Sequence, residues 1–336
     1  MNDIEMMMTM KAQISAVHRE LYKVICQYGE VDAVLKSSIY FRDLQLETFP
    51  TVGDFVEIEY NPNGPSRIIK TLERKTYFSR KDPDEGKGEQ AVAANFDYVF
   101  IVTSMNYDFN VKRMERYLTV AWQSGAQPVI ILTKADLVED FNVYIDELEA
   151  IAIGVDIIPI SSKTGYGLEQ LEPYVKEGKT IVFLGSSGVG KSSLLNALAG
   201  DEIMETSGIR EDDSKGHHTT THRQLIRLKS GAVIIDTPGM RELGMWDISV
   251  GLGEAFGEIE ELILGCKFSD CTHKNEPGCK INEALESGML QRDRWERYLK
   301  LKKEARYSEN KEAYFKAAKE AGKSYAKFKK SNKNKR

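Results

Sequence analysis

The chain has 336 residues, 41% hydrophobic and 29% charged, which fits two or three globular domains and excludes a wholly disordered chain, a collagen-like chain and a disulfide-stapled miniprotein. No run of 18 apolar residues occurs and the start, MNDIEMMMTMKAQI, does not read as a secretory signal, so the expectation is a cytoplasmic protein with no membrane partner. Net charge is −5, but residues 300–336 hold 14 basic and 4 acidic side chains, leaving the first 299 residues at −15: a basic end on an acidic body fits a polyanionic partner, or equally a solvated helical end.

Residues 12–72 alternate apolar and polar positions in short runs (AQISAVHRELYKVICQYGE, DAVLKSSIYF, GDFVEIEY, SRIIKTLE), with the turn NPNGP between the last two. This predicts a small antiparallel β-barrel, with Cys26 as a core cysteine. The polar stretch at about 73–90, with RKTYFSRKDPDEGKGEQ from Arg74 onward, reads as a linker. Nearly continuous apolar runs then recur at 97–102, 127–132, 156–160, 180–184 and 232–236, the pattern of strands buried on both faces. Helical stretches at 110–124, 140–152, 167–176 and 191–199 separate several of them, which predicts a parallel sheet with helices on both sides. RQLIRLK (223–229) alternates and reads as an antiparallel edge strand. Beyond 250 the chain turns Cys-rich, then helical and basic, ending in a lysine-rich segment expected to fray.

The run TIVFL leads into Gly185, Ser186, Ser187, Gly188, Val189, Gly190, Lys191 and Ser192, and then a helix. That strand–loop–helix setting is what a phosphate loop needs. Its glycines let successive backbone N–H groups face one triphosphate, and the helix adds its positive end. Lys191 can reach the β- and γ-phosphates, Ser192 can ligate Mg²⁺, and Ser193 is a candidate for the α-phosphate. Asp236, at a strand end, is placed to hold the Mg²⁺ shell through water, and Gly239, two residues past Thr237, to offer its N–H to the γ-phosphate. Between them lies Lys215–His222, whose threonines 219–221 offer a further Mg²⁺ ligand, assigned here to Thr220.

Thr133, Lys134, Ala135 and Asp136 follow one apolar run, and Ser161, Ser162 and Lys163 follow another. The two segments resemble the guanine-recognition loops of GTPases. A carboxylate such as Asp136 accepts from guanine N1 and N2 together, which adenine cannot reproduce. These segments precede the phosphate loop, whereas in an ordinary GTPase they follow it, so the chain is circularly permuted. Permutation is tolerable because the site is made of loops at one sheet edge. It also leads the segment after Asp236–Gly239 straight into the C-terminal module.

Cys266, Cys271, His273 and Cys279 supply three thiolates and one imidazole within 14 residues, a complete tetrahedral set for one structural zinc with no open position. Met240 stands where many GTPases carry a water-orienting Gln, so unaided hydrolysis should be slow. His217 and His218 are the substitutes, and His218, beside the threonines, is the chosen catalytic candidate.

Together GEQAVAANFDYVFIVTS, TKAD, GSSGVGKSSLLNAL, GHHTTTHR, DTPGMREL and CKFSDCTHKNEPGC resemble the ribosome small subunit-dependent GTPase A (RsgA) family, circularly permuted bacterial GTPases, over most of the chain. The resemblance implies a multidomain α/β plus β protein. Its parts would be an OB-fold barrel (1–75) that binds RNA, a permuted P-loop GTPase domain (76–248), a zinc-binding helical module (249–300) and a basic helical tail (301–336). It further implies a monomer that hydrolyses GTP to GDP and phosphate with Mg²⁺, stimulated by the 30S subunit during its late maturation, through contact with 16S rRNA. Thr133 departs from the commoner Asn, and His217 from a frequent Arg. Trp295, Tyr298, Tyr314 and Phe315 are expected to pack rather than to stack on bases. Two rival readings fit the same motifs: a GTP-level reporter acting through a protein partner, and a P-loop enzyme using ATP.

Overall fold

The computed structural model describes residues 8–18, 21–36, 49–81, 89–107, 109–203, 223–236, 249–274 and 276–305. Five short strands open the fold: β1 (Thr9–Val17), β2 (Tyr22–Cys26), β3 (Gly29–Leu35), β4 (Phe55–Glu59) and β5 (Ser66–Thr71). Their alternation buries Ala12, Ile14, Val24, Ala33, Val56, Ile58 and Ile68 as one core. The strands pair in the order β1-β2-β3-β5-β4, and β4 returns to β1 (Thr9 opposite Glu59 through Gln13 opposite Phe55), so the sheet closes into a barrel of OB type. Closure removes the open edges that short strands would otherwise expose.

Instead of a linker, the next segment forms β6 (Tyr77–Lys81) and β7 (Glu89–Ala94), an antiparallel pair. The stretch is rich in charge, but Phe78, Val92 and Ala93 are buried and belong to the core of the second domain. That domain is a sheet in the order β10-β9-β8-β11-β13-β12: β8 (Tyr98–Ser104), β9 (Gln127–Thr133), β10 (Asp156–Pro159), β11 (Thr180–Leu184) and β13 (Val233–Asp236) are parallel, and β12 (Arg223–Arg227) is antiparallel. One face (Val99, Ile101, Ile130, Leu132, Val182) packs against Met114 and Leu118 of helix α1 (Val111–Gln123) and Leu148 of α2 (Asn142–Glu149). The other (Phe100, Val102, Val129, Ile131, Ile181) packs against Leu194 and Leu195 of α3 (Lys191–Ala199). Cover on both faces is why the middles of these parallel strands are continuously apolar.

Two further expectations are corrected. The stretch 167–176 makes only a 3₁₀ turn, Leu168–Leu171, because Pro173 lacks the N–H the next helical bond would need. β12 is antiparallel as read but is no edge strand: Ala16 and Val17 of β1 pair with Gln224 and Arg223 on its far side, joining the barrel to the sheet.

A second tie is the loop before β4. Val52 is fully buried in the second domain's core beside Ile235, and Ala94 N–H donates to its carbonyl at 3.0 Å. Gly53 has φ +91°, and a Cβ there would lie 2.0 Å from the Ala94 carbonyl oxygen, so only glycine fits. The fully buried Asp54 is neutralised by a two-pronged contact from Arg74, at 2.8 and 2.7 Å.

Among the described residues four helices follow: α4 (Ser249–Ala255), α5 (Gly257–Leu264), α6 (Lys280–Glu286) and α7 (292–305), which runs across the expected boundary at residue 300. Phe256, Ile259, Ile281, Trp295 and Tyr298 form their core, with the Trp295 and Tyr298 rings stacked at 5.4 Å, so both aromatics pack. Tyr314 and Phe315 lie outside the described residues. The module docks on α1, where the buried Glu115 carboxylate meets Arg294 at 2.8 Å and also Arg297. No described helix is long and apolar enough to cross a membrane.

Candidate functional site

The parallel strands deliver their following loops to one edge of the sheet. Thr133–Asp136 lie at the end of β9, Ser161–Lys163 just beyond β10, Gly185–Ser193 after β11, and Asp236 closes β13. At the phosphate loop, a Cβ on Gly185 would come within 2.3 Å of the Val102 carbonyl oxygen, so the loop leaves β11 pressed against β8. Gly190, at φ +99°, is the residue that opens α3. Lys191 Nζ donates to the Gly185 carbonyl at 2.8 Å and to that of Ser186, so its ammonium lies over the loop. Ser192 and Ser193 are half-buried on the first turn of α3, while Ser187 and Gly188 are exposed and Val189 is buried.

The base-reading segment is tied directly to this loop. Thr133 is buried, and its hydroxyl lies 2.5 Å from the Val189 carbonyl and 3.2 Å from that of Thr103. It can donate its one proton to either. The brace an asparagine amide would supply is therefore supplied by a hydroxyl. Lys134 takes a left-handed backbone (φ +64°) and sends Nζ to the Gly188 carbonyl at 3.1 Å, laying its stem across the gap between the loops. Ala135 N–H donates to the Ile160 carbonyl at 3.0 Å. Asp136 is exposed, and the buried Ser161 hydroxyl donates to its Oδ1 at 2.7 Å, which fixes the carboxylate's direction. Ser162 is half-buried and Lys163 exposed beside it. An oriented, solvent-facing carboxylate about one loop away from clustered backbone N–H groups is chemistry suited to a guanine nucleotide.

Asp236 is placed by its backbone alone, opposite Gln224. His217, His218, Thr219, Thr220, Thr221, Gly239 and Met240 lie outside the described residues. Arg113, whose Nη1 donates to the Ser186 hydroxyl at 3.0 Å from the first turn of α1, belongs to no motif and could not be picked out from the residue pattern.

The second cluster is Cys266, Cys271, His273 and Cys279, whose ligand atoms all lie within 4.8 Å of one another. His273 Nδ1 is 3.6 Å from Cys266 Sγ and 3.5 Å from Cys279 Sγ. Tetrahedral zinc would hold a nitrogen and a sulfur about 3.6 Å apart, given its ordinary bond lengths. The donor set therefore fits zinc. Burial, reinforced by the Cys279 and Cys266 thiols, pushes the Cys271 thiol up to about 11, and burial with nearby Lys302 lowers His273. A dication in their midst reverses that pressure on the thiols. Around the ligands, the Glu276 carboxylate accepts from the Thr272 hydroxyl and N–H and from Lys274 N–H, which holds it at about 2. The Trp295 ring stands edge-on to His273 at 5.6 Å, so the cluster is seated on α7.

A family model described as RsgA GTPase matches residues 71–246. The protein named small ribosomal subunit biogenesis GTPase RsgA 1 of Listeria monocytogenes is 51% identical over 295 residues, covering 88% of this chain and 83% of its own length. Among solved structures, YjeQ from Thermotoga maritima superposes with a TM-score of 0.64 at 28% identity, covering 89% of this chain and 99% of that one. YloQ, described as a circularly permuted GTPase, superposes at 0.60 with 25% identity, covering 91% and 98%.

Proposed function

Because this chain belongs to the RsgA GTPase family, and so is a GTP hydrolase of small ribosomal subunit biogenesis, we propose how its residues divide that work. The backbone of Gly185, Ser186, Ser187, Gly188, Val189 and Gly190 wraps the β- and γ-phosphates, Lys191 neutralises them, and Ser193 meets the α-phosphate. Asp136, aimed by Ser161, accepts from the guanine edge; Lys134 lies along the base plane, and the Ser161–Lys163 backbone meets the exocyclic oxygen. Ser192 and Thr220 hold Mg²⁺, with Asp236 on its water shell. Held by those residues, Mg²⁺ would supply positive charge against the negative charge that grows on the phosphates. Gly239 senses the γ-phosphate, and His218 orients the attacking water.

The observation that carries this reading is the pair of ties between base loop and phosphate loop, Thr133 to Val189 and Lys134 to Gly188, which makes one pocket from segments reversed in chain order. The Cys₃His cluster holds one structural zinc. The barrel and the basic C-terminal residues contact 16S rRNA on the 30S subunit, in the cytoplasm, with the chain acting as a monomer. The exposed Tyr28 ring, stacked on Tyr60 at 4.7 Å, offers the barrel a platform for a base.

GTP turnover with and without purified 30S subunits tests this assignment. Stimulation by subunits, lost guanine-over-adenine preference in Asp136→Ala, and lost stimulation in His218→Ala are expected. Equal rates with and without subunits, or intact guanine preference in Asp136→Ala, would overturn it.

A further inference from the structure

Helix α1 is gripped from two sides. Met114, Leu118 and Ala121 bury against the sheet. Glu115, Thr119 and Gln123, spaced four apart and therefore on one stripe, face the C-terminal module. Glu115 takes the two arginines of α7, and Gln123 Oε1 accepts from Gly251 N–H at 2.9 Å. A Cβ on Gly251 would sit 2.1 Å from the Thr119 carbonyl oxygen, so α4 rides directly on the α1 backbone. Arg116 adds an outer pair to Glu304. The same helix sends Arg113 to Ser186 at 3.0 Å, and the Ser186 carbonyl in turn accepts from Lys191.

We infer that the zinc module sets the phosphate loop through α1, with Arg113 as a positioning residue that transmits the helix's seating to Ser186. Arg113 reaches the loop through the Ser186 side-chain hydroxyl. Its reach depends on where α1 lies, and α1 is seated partly by α4 and α7. The module is then a working part of the nucleotide site, along a route that does not pass through the segment after Asp236. From Gln123 back to Arg113 the helix spans about 15 Å, so a disturbance at α4 is remote from the pocket.

The inference rests on the pocket described above, so GDP affinity of the unaltered chain is measured first; failure of the pocket would appear there, and failure of the α1 link only in the cycle that follows. The cycle combines Gly251→Ala, which forces α4 off α1, with Arg113→Ala, read as the dissociation constant of a fluorescent GDP analogue. Gly251→Ala is expected to weaken binding roughly fivefold in the otherwise native chain and under about twofold when Arg113 is already Ala. Arg113→Lys, which keeps a donor, should restore most of the dependence. Gln123→Ala, which removes only the acceptor of Gly251 N–H, serves where Gly251→Ala lowers zinc content or helicity. Equal penalties in the two backgrounds, or none from either α4-side change, would overturn the link.

Discussion

Replacing Thr133 by Val tests the joint between the two nucleotide loops. The side chains have nearly the same shape, so no cavity forms, but the hydroxyl that serves the Val189 carbonyl disappears. Thr133 is 2% exposed, so water cannot readily take its place. A buried acceptor left without its donor costs about 1–3 kcal/mol. The loop can escape part of that by turning Val189 outward, but Val189 is itself buried against Leu194 and Leu195. Either outcome penalises the loop geometry that binds phosphate, and about 1.4 kcal/mol of it appearing in binding is a tenfold rise in the GDP dissociation constant. The assay is paired: equilibrium binding of a fluorescent GDP analogue, and urea unfolding of the same samples. Thr133→Ser keeps the hydroxyl and serves as the reference. If Thr133→Val binds GDP as tightly as Thr133→Ser and unfolds at the same urea concentration, the hydroxyl carries no bracing and the reasoning fails.

Glu115→Gln takes the shared carboxylate from Arg294 and Arg297, each of which keeps a second one (Glu258 and Asp293), so the cost should fall below the about 3–5 kcal/mol of a buried charge left wholly uncompensated; a separate early transition of α4–α7 in calorimetry would report it, and an unchanged melting profile would refute it. Gly53→Ala must push the loop off the Ala94 carbonyl, so cross-protection between barrel and sheet in hydrogen exchange should fall while each retains its own secondary structure. For acidification, Glu276 is held at about 2 against an ordinary 4.5, so its contribution is present above 4.5 and disappears as pH falls toward 2; Glu276→Gln should flatten the acid limb of zinc-module unfolding. In protein stripped of metal, the Cys271 thiol raised from 9.0 to about 11 favours the folded module below pH 9 and ceases to do so as pH climbs to about 11. Cys271→Ser should remove that alkaline loss, read by near-UV circular dichroism at Trp295.

Legibility in the sequence followed the range of the physics involved. Local geometry was readable: the glycine spacing from Gly185 to Gly190 and the ligand spacing from Cys266 to Cys279 both serve contacts made within a few residues. The runs at 97–102 and 180–184 were readable because burial on both faces leaves no polar position from 99 to 102 or from 181 to 184. What escaped depended on distant partners. The strands β6 and β7 sit in a stretch crowded with charged and turn-forming residues, and only their pairing with each other and the burial of Phe78, Val92 and Ala93 beside Val52 reveals them. β12 alternates like an edge strand because its far neighbour, β1, lies more than two hundred residues away in the chain. Arg113 and Glu115 are ordinary helix residues until the phosphate loop and α7 arrive from elsewhere.

That last strand explains how a permuted order is accommodated. Moving the base-reading half ahead of the phosphate loop leaves β12 and β13 at the end of the domain, where an unpaired β12 would be an open edge. The barrel supplies the missing partner through Ala16 and Val17, and inserts Val52 beside Ile235 of β13. On the opposite flank the chain leaving β13 continues into α4, which lands on α1. The domains added at each end thus close what permutation opened: one covers the sheet edge beside Asp236, the other holds the helix that reaches the phosphate loop. A barrel deletion should therefore cost more than RNA contact. With β12 uncovered, the strands that carry Asp236 lose their support, and GTP affinity should fall even in the absence of ribosomes; unchanged affinity in a chain lacking residues 1–72 would refute that dependence.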